Sequence, residues 1–332
     1  MQPLSWHEQA FSRLLQSKAD LPHALLVRGP RGIGKLDFAR ALAQALLCEA
    51  TVQGAACGKC SACAWFDAGS HPDYRQVEPD VEHAEAEDTE KRSATISVDQ
   101  IRALPDFINL TSHRGGPKVI VIHPAEMLNV NAANALLKSL EEPPARTFFV
   151  LVAHRPHQLL PTIRSRCQQI TLAPPSVREA AAWLASSGVD RPDIALAHVG
   201  NAPLLARELD GSEYWGARAA FIRHLAAEDF DLAAAGEAAR DLPLHQIVSW
   251  LQKWSYDLVH FRLAGRVRYN PDYRDAIART ASRVDMIAAT RFHRETVKLQ
   301  RVAYHPLNAR LFTEDLLLMY RELVRHEEVP AC

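Results

Sequence analysis

Four of the chain's six cysteines fall within sixteen positions, as Cys48-x8-Cys57-x2-Cys60-x2-Cys63. Thiolates at that spacing are a natural ligand set for tetrahedral Zn²⁺, and Gly54, Gly58 and Ser61 leave the backbone room to fold around an ion. Four sulfurs close the coordination shell. The expected zinc is therefore structural, with no open position for a reacting water. An iron–sulfur cluster or disulfides are the alternatives. Cys167 and Cys332 stand apart and are not expected to be ligands.

A second constellation is Gly29-Pro30-Arg31-Gly32-Ile33-Gly34-Lys35-Leu36, between a strand-like and a helix-like segment. This is the setting of a phosphate-binding loop. Gly29, Gly32 and Gly34 let backbone N–H groups curl around phosphate oxygens, and Lys35 would reach the outer phosphates of ATP or ADP. The position after the lysine, normally a Ser or Thr that ligates Mg²⁺, is Leu36. A neighbouring strand should end in an Asp-Glu pair for metal and water, but VIVI ends in His123-Pro124-Ala125-Glu126. Pro124 can neither bind metal nor act as a base. Nucleotide binding stays open, hydrolysis is not expected, and a relic loop that holds nothing is the bland alternative.

The third candidate is an arginine, in Pro161-Thr162-Ile163-Arg164-Ser165-Arg166-Cys167. An arginine at a domain edge can enter a neighbouring subunit's nucleotide site and stabilise transition-state charge. On residue type alone, Arg166 is more simply a solvated group or the partner of a carboxylate.

These groups need elements to position them. Residues 23–29, 118–123, 147–153 and 168–173 are short apolar runs bounded by Gly, Pro or charge, and 73–78 is a weaker fifth strand. Helices are expected at 36–48, 98–109 and 131–142, the last stopped by Pro143 and Pro144. This alternation predicts an α/β domain with a largely parallel sheet. Residues 78–90 carry seven acidic groups and no Lys or Arg, the composition of a solvated loop. After Pro174-Pro175 strand candidates vanish. Three short helices are expected up to Gly211, then longer ones with apolar stripes at Ile247, Trp250, Leu251, Trp254, Leu258 and at Phe312, Leu316, Met319, Tyr320, Leu323.

With 332 residues, 48% hydrophobic and 23% charged, the chain holds about two or three globular domains. The formal net charge of −1 argues against autonomous high-affinity DNA binding. No run approaches a membrane span, and the first residues do not read as a secretory signal, so a cytoplasmic location is expected.

In this order, GPRGIGK, the cysteine cluster, AANALLKSLEEPP (132–144) and LLPTIRSRC (159–167) resemble the bacterial clamp-loader subunits of DNA polymerase III, over nearly the whole chain. The resemblance implies an AAA+ core over 1–174 with a zinc module at 48–63. It also implies a small helical lid over 175–211 and an all-α collar over 212–332 that joins subunits in a ring. Ser165, Arg166 and Cys167 match the family's arginine finger, which is offered to an adjacent motor subunit's ATP. His154 and Pro203 stand where the family places its two sensor residues. The short chain and damaged ATP site resemble the family's non-hydrolysing member rather than the gamma/tau motor subunits. The implied partners are gamma/tau and delta, with the sliding clamp and primed DNA reached through the assembled complex. Two rivals remain: an active clamp-loader ATPase that uses Glu126, and a zinc-containing nucleic-acid adaptor, which the neutral charge disfavours.

Overall fold

A computed structural model describes residues 2–16, 20–52, 54–80, 95–112, 115–305 and 307–325. Most of the expected acidic loop, and Cys332, lie outside the described residues. The chain divides into two compact units, Met1–Pro175 and Ser176–Cys332.

The first unit is built on five parallel strands, β1 (Ala24–Arg28), β2 (Tyr74–Val77), β3 (Lys118–Ile122), β4 (Thr147–Ala153) and β5 (Gln168–Thr171), in the order β2-β3-β4-β1-β5. Parallel strands need crossovers, and helices supply them on both faces. The three central strands show the period of two directly. Leu25, Val27, Val119, Val121, Val150 and Val152 join one apolar cluster, while Leu26, Ile120, Ile122, Phe149 and Leu151 join the other. The first cluster is closed by α1 (Glu8–Gln16), α2 (Lys35–Leu47) and Phe66 of α3 (Ser61–Asp67). The second is closed by α4 (Val98–Arg102), α5 (Leu104–Asn109), α6 (Val130–Glu141) and α7 (Pro161–Arg166). This is the largely parallel α/β architecture that the alternation of apolar runs and helices predicts.

Local chemistry sets the helix ends. Ser97 and Gln100 form a reciprocal capping box that starts α4. Asn129 Oδ1 accepts the Ala132 N–H at 2.8 Å and starts α6. The continuous helix expected over 98–109 is instead two helices that meet at Ala103. Pro105 carries no N–H and is tolerated only in a helix's first turn, so α5 must begin afresh there.

The second unit contains no strand among its described residues. Helices α8 (Val177–Ser186), α9 (Pro192–His198) and α10 (Pro203–Glu208) enclose a small core of Ala180, Leu184, Val189, Leu196 and Ala206. A larger core belongs to α11 (Ser212–Leu225), α12 (Leu232–Ala238), α13 (Leu244–Ala264), α14 (Arg274–Arg283), α15 (Met286–Val302) and α16 (Ala309–Arg325). The α13 stripe is buried throughout. On α16, Leu316, Tyr320 and Leu323 are buried, whereas Phe312 and Met319 are partly so.

Buried polar groups join the two cores at His198 and brace the larger one internally. His198 Nε2 lies 2.8 Å from the Tyr214 hydroxyl and 3.0 Å from Lys253 Nζ. Arg218, 2% exposed, pairs with Asp272 at 2.7 Å and donates to Asn270 Oδ1 at 2.8 Å. The fully buried Asp257 accepts the backbone N–H groups of Arg268 (2.7 Å), Tyr269 (3.1 Å) and Asn270 (2.8 Å), and the Asn270 side-chain amide (2.8 Å). No described helix is long and apolar enough to cross a membrane.

Candidate functional site

The phosphate loop leaves the carboxyl end of β1 and turns into α2. Its backbone needs glycine: φ is +76° at Gly32 and +90° at Gly34, and a Cβ at Gly29 would lie 2.5 Å from the Leu172 carbonyl oxygen. The backbone N–H groups of residues 31–36 donate to no described group, which leaves a nest of donors at the N-terminus of a thirteen-residue helix. Lys35 is 2% exposed and its ammonium donates to the Pro30 carbonyl. Burial lowers its pKa to about 8, Glu126 opposing and Arg31 assisting that fall. Leu36 is partly buried against the sheet's apolar cluster, so an aliphatic side chain occupies the position of a metal-ligating hydroxyl.

His123 follows β3 and His154 follows β4, and their rings meet edge-on at 5.2 Å. His123 Nδ1 lies 3.3 Å from Glu78 Oε1. Glu126 is committed elsewhere: its carboxylate accepts the backbone N–H of His154 at 3.0 and 3.1 Å, and that of Arg155 at 3.0 Å. It fastens the short turn Ala125–Met127 to the end of β4. Sequence reasoning did not foresee this role, nor the packing of the N-terminal segment on the loop. The Trp6 indole N–H donates to the Ile33 carbonyl at 3.0 Å, and a Cβ at Gly34 would lie 2.2 Å from Leu4 Cδ1. Residues about thirty positions apart and without periodicity give no advance signal of such contacts.

The four cysteines come together at the other end of α2. Cys48 is that helix's C-cap, Cys60 is the N-cap of α3, Cys63 lies inside α3, and Cys57 sits in the connection. Their sulfurs all lie within 4.8 Å of one another, with Cys48–Cys60 at 3.9 Å and Cys57–Cys63 at 4.0 Å. A tetrahedral ion with metal–sulfur bonds of about 2.3 Å needs sulfur–sulfur edges of about 3.8 Å. The backbone N–H of Cys57 donates to Cys48 Sγ at 3.2 Å, and those of Lys59 and Cys60 to Cys57 Sγ at 3.4 Å each. These last two donors bring the Cys57 pKa down to about 6, while burial pushes Cys63 up to about 12. The cluster can hold a metal ion, and such an ion would keep all four sulfurs as thiolates.

Arg166 ends α7 and is not part of the Lys35 group. Its side chain is 34% exposed, forms an ion pair with Glu141, and donates to the Thr162 carbonyl at 2.9 Å. Ser165 Oγ donates to the same carbonyl at 3.0 Å. Cys167 is buried in the core beneath, which pushes its pKa up to about 11.

The model of the family described as "DNA polymerase III, delta subunit" matches residues 6–176. The chain is 38% identical to the DNA polymerase III subunit delta' of Pseudomonas aeruginosa over 265 residues, which are 78% of this chain and 77% of that one. It is 37% identical to the Escherichia coli subunit delta' over 61% of this chain and 59% of that one. Among solved structures, a DNA polymerase III gamma subunit-related protein of Thermotoga maritima aligns with 96% of this chain and 99% of its own, at 18% identity and a TM-score of 0.44. With the family model matching residues 6–176 and a delta' relative 38% identical over 77% of its own length, the chain belongs to the delta prime subunit family of DNA polymerase III.

Proposed function

We propose that the protein is a non-hydrolysing clamp-loader subunit that works with gamma/tau and delta subunits to place a sliding clamp on primed DNA. In this reading residues 1–174 are its AAA+ core, 175–211 its lid and 212–332 its collar. Zn²⁺ held by Cys48, Cys57, Cys60 and Cys63 orders the segment between α2 and β2. Gly29, Gly32, Gly34 and Lys35 hold a nucleotide's phosphates without turnover.

The observation that carries the reading is the pairing of a complete Ser165-Arg166-Cys167 with a local site that lacks metal-handling groups. Leu36 and Pro124 offer no ligand, and the carboxylate of Glu126 already takes three contacts from backbone N–H groups. That commitment speaks against a self-sufficient ATPase built on Glu126. Arg166 is held by Glu141 and the Thr162 carbonyl, but both members of the ion pair keep part of their surface in solvent, where such pairs are worth only about 0–1 kcal/mol, so exchanging Glu141 for a neighbour's phosphate would cost little.

The test is Arg166→Ala in a reconstituted loader. Assembly should survive, while ATP turnover at the adjoining motor site should fall by about 10³-fold or more, the scale of an arginine finger's contribution. Other motor sites dilute that loss in total turnover, so the rate of clamp loading on primed DNA is the sharper readout. Unchanged loading by a fully assembled variant would make Arg166 structural.

A further inference from the structure

The four sulfurs of the cysteine cluster differ in what surrounds them. Cys48 Sγ accepts the backbone N–H of Cys57 at 3.2 Å and is also approached by the amide of Ala50. Cys57 Sγ accepts those of Lys59 and Cys60 at 3.4 Å each. The amide of Gly58 approaches Cys63, which is fully buried. Among the described residues no backbone N–H donates to Cys60 Sγ. Cys60 is half-buried, as is Cys57, whereas Cys48 and Cys63 are buried. Building on the reading of the cluster as a zinc site, we propose that Cys60 is an oxidation site: its thiolate reacts first with a hydroperoxide, then closes a disulfide with Cys48 and releases the metal.

A bound ion keeps all four sulfurs as thiolates, so protonation does not distinguish them. Hydrogen bonding and access do. Attack on an electrophile draws negative charge off the sulfur, so every N–H bond that the sulfur accepts is stronger before the reaction than in its transition state, and the barrier rises. Cys60 carries no such brake. Of the two half-buried sulfurs it is the one without donors. Its neighbours Gly58 and Lys59 are exposed, and a Cβ at Gly58 would meet nothing within 4 Å, so a molecule the size of a peroxide has room to approach.

The Cys60 thiolate attacks one peroxide oxygen. An S–O bond forms and the O–O bond breaks; the departing hydroxide or alkoxide takes a proton from water, and the two electrons lost by sulfur reduce the peroxide. The Cys48 thiolate, 3.9 Å away, then attacks the oxidised sulfur, forming the S–S bond and expelling hydroxide. Cys57 and Cys63, 4.0 Å apart, remain as two sulfurs that cannot close a tetrahedral shell. Cys48 caps the end of α2 and Cys60 the start of α3, so the disulfide ties the same two helices that the ion tied. The change is local, and a thiol reductant reverses it.

Full-length protein, shown by elemental analysis to carry zinc, should be treated with one equivalent of hydrogen peroxide beside a chromogenic zinc chelator. Cleavage after Lys59 parts Cys48 and Cys57 from Cys60 and Cys63, and mass spectrometry assigns the modified sulfurs. The expected result is about one zinc released per peroxide consumed, a Cys48–Cys60 disulfide, and recovery of zinc binding after dithiothreitol. A limiting dose of iodoacetamide reads the first reactive sulfur without the second step. Cys60 should be alkylated about tenfold faster than Cys57, the ratio that about 1.4 kcal/mol of hydrogen bonding to a thiolate supplies. Lys59→Pro deletes one of the two donors to Cys57 and should narrow that ratio. If that variant does not retain zinc, the wild-type ratio decides. First modification at any other cysteine, a first disulfide that excludes Cys60, or zinc that peroxide does not release overturns the proposal and leaves the zinc reading intact. Protein that carries no zinc removes both.

Discussion

The two ends of α2 make an instructive contrast. Its N-terminus opens from the phosphate loop and its C-cap is Cys48, about 20 Å away at the rise of an α-helix. At the first end the donors are backbone N–H groups, which no substitution but proline deletes, so the nest of donors stands beside Leu36, His123 and His154. At the second end every donor is a side-chain sulfur. Replacing any one of them opens the shell. Backbone-built sites therefore decay by degrees, whereas side-chain-built sites fail at once.

The largest test of that contrast is Cys60→Ser. Metal content, measured by elemental analysis, should fall from about one ion per chain to nearly none. The segment between α2 and β2 should lose order while the sheet stays folded, because a core of this size does not depend on an ion as a small finger does. Global unfolding of the variant, or retention of the metal, would break the contrast from the cysteine end.

At the loop end the corresponding change should be graded. Glu126→Ala strands the N–H groups of His154 and Arg155, at a cost of about 1–3 kcal/mol in denaturant unfolding. It should not create or remove ATP turnover. A variant without loss of stability would show that water replaces the carboxylate, and that the turn after β3 needs no fastener.

A pH-dependent effect is spread over both units. Burial holds His198 down to about 2, His154 to about 3 and His7 to about 4. In the unfolded chain each returns to about 6.5, so the unfolded state binds more protons below that pH. The resulting stability is complete above about pH 6.5 and drains away as the pH falls toward the folded values. Tm measured from about pH 7 down to about pH 5, above the carboxylate range, should decline steadily. A flat profile would mean that these rings keep their protons in the folded protein.

Much of this was legible in the sequence because its carriers are local. Apolar runs gave the strands, turn glycines before Lys35 gave the loop, and the cysteine spacing placed four sulfurs around one point. The break at Ala103 was written in Pro105, but the apolar pattern of residues 98–109 runs across it. What stayed hidden depends on partners distant in sequence. Glu126 reads as a candidate metal ligand until β4 brings two N–H groups to it. For Arg166 the sequence allows a carboxylate partner but cannot say which, until α6 and α7 bring Glu141 alongside. The seal of Leu4 and Trp6 on the loop exists only once the first residues are laid against β1's end.

Asp257 has a consequence for time rather than for strength. Residues 268–270 belong to no helix or strand, and a connection of that kind normally exchanges its amide hydrogens within moments of meeting deuterated solvent. Here all three amides point at one buried carboxylate, on a helix at the centre of the larger core. They can be released only when that core itself opens, so this irregular stretch keeps the slow clock of the helices around it.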